Sequence, residues 1–266
     1  MKESSSILTS SSSASIYNKR IKKVLDGFII LEQSEMELPE EVIVVKLDGK
    51  RYTTIAEDDL IYFEELQYCD LSENYLDLSM LSKLIKLKVL SLASNAIKHL
   101  NNIDTSNSFK NLQSLDLSYN HLSYQCLHTL SLLPSLTSLD LSGNFINNII
   151  TNTTSATTNI DLKPDLNPEL NHLNSNAMAM DDDLIFDDDA NDNVPNNNIY
   201  NNNIPFKIDP NTSFPVLEHI YLDYNNIDNN NILIELGKLP QLRHISLAHN
   251  FLSCIDEGTF TEDTFR

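Results

Sequence analysis

Residues 112–146, LQSLDLSYNHLSYQCLHTLSLLPSLTSLDLSGNFI, carry one pattern twice. Leu112, Leu115, Leu117, Asn120 and Leu122 return as Leu136, Leu139, Leu141, Asn144 and Ile146, a period of 24 residues. Few architectures tolerate a strict period of that length. Within L-x-x-L-x-L the inner leucines alternate with polar residues, as a strand with one buried face requires. Identical units stack in parallel, about 4.8 Å apart, so their leucines merge into one core. The rest of each unit must return over the opposite side, because parallel strands need a crossover. The asparagine sits where the chain leaves the strand. Its amide both donates and accepts, which suits it to bond the turn backbone that drops out of the ladder.

A period in the twenties with L-x-x-L-x-L-x-x-N-x-L is the signature of leucine-rich repeats. The expected fold is therefore α/β: a solenoid with a curved parallel sheet on its concave side and short helices and extended turns on its convex side. Seven units begin at residues 42, 66, 87, 112, 136, 217 and 242. The first fits imperfectly, with Val42, Val45 and Leu47 at leucine positions but Lys50 where asparagine belongs. Terminal repeats are expected to be atypical. The other units supply a structural ladder of Asn74, Asn95, Asn120, Asn144, Asn225 and Asn250. Convex segments 126–134 and 232–240 have leucines at helical spacing and end at proline, so they should be helical. Residues 97–109 are polar and should be extended or a short turn, whereas 66–86 has room for one helical turn through Met80, Leu81 and Leu84.

Composition divides the chain further. Residues 1–20 form a Ser-rich tail expected to be disordered, and 21–41 an N-terminal cap, with the apolar run in 21–34 read as an edge strand or part of that cap. Repeats fill 42–147 and 214–266, and truncation of the second block is an expectation. Between them, 148–213 is an Asn/Asp-rich insertion with eleven acids and two lysines, expected to be disordered and to loop out of the solenoid. Its segment DDDLIFDDD, residues 181–189, reads more readily as low-complexity drift than as a docking motif.

A net charge of −20 argues against binding nucleic acid or an anionic membrane, which needs clustered Lys and Arg. No stretch reaches the roughly 18 apolar residues that span a bilayer, and the N-terminus has no secretory h-region. Cys69 takes a core leucine position, Cys126 lies in a convex segment and Cys254 follows the last strand. These are neither a disulfide framework nor a zinc set. The expected address is intracellular: the cytoplasm, with the nucleus as a second compartment. With five glycines there is no phosphate cradle, and G-x-S-x-G and H-E-x-x-H are absent. The chain reads as non-enzymatic, with no cofactor and no metal.

The groove-facing residues alternate with the leucines. In the last two repeats they include His219, Tyr221, Asp223 and Tyr224, then His244, Ser246 and His249, with Arg243 beside them. Elsewhere the same face shows Ser91, Ala93, Ser114, Asp116, Ser118, Ser138, Asp140 and Ser142. Large amphipathic groups thus gather in one place: His219, Tyr221, Asp223, Tyr224, Arg243 and His244. That set is the expected partner-binding face. The acidic surroundings suit a protein partner with a basic surface. A rival from another class is a metal- or ligand-binding enzyme that uses the His219/His244 pair with Asp223. A polar, aromatic contact face is the simpler account.

VLDGFIIL (24–31), DDLIYF (58–63), SENYLDL (72–78), DLSYNHLS (116–123), LPSLTSLDLSGN (133–144), FPVLEHIYLDYNNI (214–227) and LPQLRHISLAHN (239–250) together resemble the X-ray radiation resistance-associated protein 1 family. The resemblance covers residues 21–255 apart from the insertion. It implies an intracellular, non-enzymatic repeat protein, cytoplasmic and nuclear, linked to the response to ionising radiation. It transfers no binding residues. Members of that family continue beyond the matching part, which implies that this chain is a fragment. The alternative is a phosphatase-regulator-like or axonemal leucine-rich-repeat protein.

Overall fold

Alternation of apolar and polar residues places one short strand in each unit. In the computed structural model these strands form a single parallel sheet. The structure describes residues 22–100, 103–105, 107–147 and 207–253. The tail, nearly all of the acidic insertion and the last residues lie outside that set, and so do the expectations of disorder and truncation attached to them. The sheet runs β2 (Val44–Lys46), β4 (Tyr68–Asp70), β5 (Val89–Ser91), β6 (Ser114–Asp116), β7 (Ser138–Asp140), β8 (His219–Tyr221) and β9 (His244–Ser246), each pairing with the next. The protein is a leucine-rich-repeat solenoid.

Register follows the leucine pattern without a slip. Val45, Cys69, Leu90, Leu115, Leu139, Ile220 and Ile245 form one column across the sheet. A shift of one residue would turn each of these into solvent. The imperfect first unit keeps that register, with Val42, Val45 and Leu47 all buried. At the far end, Leu242, Ile245 and Leu247 are half-buried, whereas their counterparts in the middle repeats are buried.

The segment 21–34, read as an edge strand or part of the N-terminal cap, combines a short strand with a helix. Two residues, β1 (Val24–Leu25), pair in parallel with β3 (Thr54–Ile55), and a helix, α1 (Gly27–Ser34), follows at once. Local chemistry explains the helix. The Asp26 carboxylate accepts from the Ile29 N–H at 3.0 Å and caps the first turn. Glu35, at φ 57°, closes the last one in the left-handed conformation. The apolar run buries Ile30 and leaves Phe28 outside.

Convex segments follow their leucine spacing. Helices α2 (Cys126–Leu130) and α3 (Asn231–Leu236) stand where 3.6-residue periodicity predicts them, and 66–86 carries a 3₁₀ turn at Leu78–Leu81. No helix forms among the described residues of 97–109. The chain returning from the insertion docks on this side. The Ile208 N–H donates to Glu235 Oε2 at 2.9 Å, and the Phe214 N–H donates to the Ser131 carbonyl at 2.7 Å. Glu235 also pairs with Lys238 at 2.6 Å, so its buried carboxylate is satisfied on both oxygens.

Candidate partner-binding surface

Each strand ends in the same turn, and that turn determines where surface side chains can stand. Asn120 shows its construction. Its Nδ2 donates to the carbonyls of Leu117, Ser118 and, one repeat back, Leu92, at 2.9 to 3.1 Å. Its Oδ1 accepts from the N–H groups of Asn95 and Ile97. Asn74, Asn95, Asn144, Asn225 and Asn250 likewise bond the turn of their own repeat and the backbone of the one before. The residue preceding each asparagine has positive φ: Glu73, Ser94, Tyr119, Gly143, Tyr224 and His249. Its N–H is thereby aimed at the next repeat, as Tyr119 N is at the Ser142 carbonyl, 2.7 Å away.

The sheet brings three of the expected contact residues together. His219 and His244 are register partners on β8 and β9, with ring centroids 6.1 Å apart. Tyr221 lies 5.3 Å from His244 at an interplanar angle of 51°. Asp223 is drawn elsewhere. Its Oδ1 accepts from both Ser246 Oγ and the Ala248 N–H at 2.6 Å. Among the described residues no three His, Cys, Asp or Glu side chains are placed to hold a metal ion. Arg243, just before β9, is exposed.

Tyr224 belongs to a different surface. Its left-handed backbone puts it in the turn, where its ring stacks on His249 at 4.2 Å and 9°. It therefore stands on the rim of the sheet rather than in the groove. The same rim carries residues that alternation with the leucines does not reveal. His121 stacks on Phe145 at 5.4 Å and 10°. The Tyr119 ring covers Gly143, where a Cβ would lie 2.6 Å from Tyr119 Cδ1. Phe251 is exposed and takes the same position in its repeat as His121 and Phe145, two repeats beyond Phe145. The signal lay in the two positions flanking each ladder asparagine: Y-N-H, G-N-F, Y-N-N and H-N-F in the last four repeats.

The groove before residue 217 is also less uniform than the sequence suggested. Val44 is exposed on β2, and Lys46 Nζ lies 5.8 Å from the centre of the Tyr68 ring on β4. Large groups thus stand at both ends of the concave face, with small ones between. In that middle stretch Ser72 bonds Asp70 and Ser91, and Asp116 and Asp140 each accept from a backbone N–H two residues on. Burial, helped by the neighbouring charges of Asp116 and Asp223, raises the Asp140 carboxyl above its ordinary range against the lowering effect of Ser142. Burial and Lys98 hold His121 below the usual imidazole value. Burial pushes the Cys69 and Cys126 thiols up to about 12, which leaves both as apolar core groups.

The leucine-rich-repeat family model matches residues 85–146. The X-ray radiation resistance-associated protein 1 of Mus musculus is 28% identical over 121 residues, 46% of this chain and 15% of that protein. Among solved structures, a leucine-rich-repeat protein of Leptospira interrogans aligns at TM-score 0.47 and 19% identity, over 80% of this chain and 38% of its own. The TLR13–ssRNA13 complex aligns at 0.49 and 17%, over 88% and 24%. Internalin C2 from Listeria monocytogenes aligns at 0.47 and 15%, over 88% and 86%.

Proposed function

We propose that this repeat protein is a non-enzymatic intracellular scaffold that binds a protein partner with a basic surface, through the groove at β8–β9. The observation that carries the reading is the cluster of Tyr221, His219 and His244 within 5.3 to 6.1 Å on the sheet. Hot spots favour large amphipathic side chains, and the seryl stretch of β6 and β7 offers few. Asp140 and Asp223 beside the cluster, with Asp116 one strand further along, make the groove acidic, which favours fast, salt-sensitive association with a cationic surface.

The test has two stages. Partners are first identified by affinity purification on the intact protein, and binding is then measured with variants. Tyr221→Ala with His244→Ala should weaken binding at least about tenfold, the scale of a hot-spot loss, and leave the melting temperature unchanged. Ser114→Ala with Ser138→Ala should change little. Equal loss from both pairs would spread the site over the whole groove, and no loss from either would remove it from there.

The match to a mouse protein named for X-ray radiation resistance supports a coarser proposal about pathway. Cells lacking this protein should survive X-irradiation differently from their parents. Equal survival would end that reading without touching the binding proposal. Cytoplasmic and nuclear residence belongs to the same proposal, and imaging of the tagged protein tests it.

A further inference from the structure

At the solenoid's N-terminal end, α1 and the 3₁₀ turn Asp59–Tyr62 meet at one point and diverge from it. The meeting point is Gly27. Its N–H donates to Asp59 Oδ2 at 2.9 Å, and a Cβ there would come within 3.3 Å of Asp59 Cβ and the Phe63 ring. No side chain fills the gap above this contact. A pocket of about 230 Å³ opens between the segments, walled by Phe28, Leu31, Pro39, Tyr62 and Phe63 over the Gly27 backbone. Phe63 is buried, but Phe28 is 82% exposed and Tyr62 63%. Ile61 and Leu38, next in sequence to Tyr62 and Pro39, are also exposed. Two aromatic rings held that far into solvent around a concavity mark an interaction site rather than core.

Charge says what would sit there. The segments forming the pocket, 26–41 and 56–65, contain eleven Asp and Glu residues and no Lys, Arg or His. Asp26, Asp59 and Glu65 are engaged within the chain: Asp26 caps α1, Asp59 holds Gly27 and Glu65 pairs with Lys86. Glu32, Glu35, Glu37, Glu40, Glu41, Glu57, Asp58 and Glu64 are exposed on the same two segments, Glu32 and Glu35 facing a neighbouring cleft with Lys50 and Glu64 one with Lys83. We propose that this pocket receives a bulky apolar side chain from a partner protein segment that carries Lys or Arg next to it. The apolar anchor removes Phe28 and Tyr62 from water, while the basic neighbours meet the acidic rim. An acidic or wholly polar segment gains neither. The site is separate from the β8–β9 groove, with the strands of five repeats between them.

The experiment pans a random peptide library displayed on phage against the full chain and measures binding of the enriched sequences as synthetic peptides. Enriched peptides should share one bulky apolar residue with Lys or Arg within two positions. Phe28→Ala with Tyr62→Ala should weaken them about tenfold or more. Raised salt should weaken them too, and Tyr221→Ala with His244→Ala should leave them unaffected. Phe28 and Tyr62 are exposed, so the double variant should keep the parental melting temperature, which is checked first. Enrichment of acidic peptides, or binding indifferent to Phe28 and Tyr62, overturns the proposal. Peptide binding seen only after removal of residues 1–21 would mean that the chain's own tail fills the pocket, and that also overturns it. So would self-association abolished by Phe28→Ala with Tyr62→Ala, which would make a second copy the occupant.

Discussion

Single side chains hold this architecture through their bonding to backbone. Asn120 is buried, and its Oδ1 accepts from the N–H groups of Asn95 and Ile97. An alanine there orphans both, and a buried unsatisfied group costs about 1–3 kcal/mol. Asn120→Ala should therefore lower unfolding free energy by about 2–5 kcal/mol in urea titration. Leu117→Asp should cost more, because it places an unpaired carboxylate in the stacked core. A Leu117→Asp protein that melts like its parent would mean that the register is wrong. Asp140 works in the opposite direction. Its carboxyl is raised by burial and by Asp116 and Asp223, so the folded state holds its proton more tightly than the unfolded one does. Stability linked to it is present at low pH and is lost as pH rises through the raised value. Asp140→Asn keeps an acceptor for the Ser142 N–H and removes the charge. The variant should be more stable than the parent at pH 7, and the gap should close as pH falls below about 4, the ordinary carboxylate range. A gap that does not vary with pH would rule out titration of Asp140 as its cause.

At the scale of elements, the junction of β7 with β8 shows how little a repeat array depends on chain continuity. Ser138 pairs with His219, Leu141 N donates to the Tyr221 carbonyl, and Asn225 Oδ1 accepts from Ile146 across a separation of 79 residues. The pairing is indistinguishable from that of β6 with β7, whose strands lie 24 residues apart. Loop-closure entropy grows only slowly with length, so the intervening residues impose a small penalty. Replacing 148–206 with a short Gly/Ser linker should leave unfolding free energy unchanged or raise it by up to about 2 kcal/mol. A large loss of stability, measured by denaturant titration, would show that those residues pack on the solenoid. Helix α1 differs in kind. It depends on the Asp26 cap and on the Gly27–Asp59 contact rather than on the repeat.

In the molecule as a whole, stability should be graded along the axis, because each repeat is held by its neighbours. The middle repeats bury Leu112, Leu115, Leu117, Leu136, Leu139 and Leu141 between two partners, whereas Leu242, Ile245 and Leu247 are half-buried. Amide exchange should follow that gradient: slowest in β6 and β7, and faster over 245–252. Equal protection at both places would mean that the face beyond β9 is covered in solution. The same axis separates the two proposed contact regions, an apolar and acidic pocket at the cap and an aromatic groove near β9.

The sequence by itself determined the repeat, its period, the sheet and the asparagine ladder. All four follow from a pattern that recurs unit by unit, so each residue's environment is already written in its position within the unit. Val45 and Cys69 could be assigned to the core beside Leu90 for that reason, despite the first unit's missing asparagine. The histidine pair was legible too, because equal template positions on neighbouring strands must adjoin. Tertiary structure decided what the template leaves undefined. Tyr224 directly follows the groove residue Asp223 in sequence, but the left-handed turn carries it to the rim and onto His249. Asp223 sits near two imidazoles in sequence register, yet hydrogen bonds to Ser246 and Ala248 take its carboxylate. The cap lies outside the repeat altogether. Its short apolar run suits strand or helix equally, and only the Asp26 cap and the approach of Asp59 and Phe63 to a bare Gly27 backbone made α1 a helix with a pocket beside it.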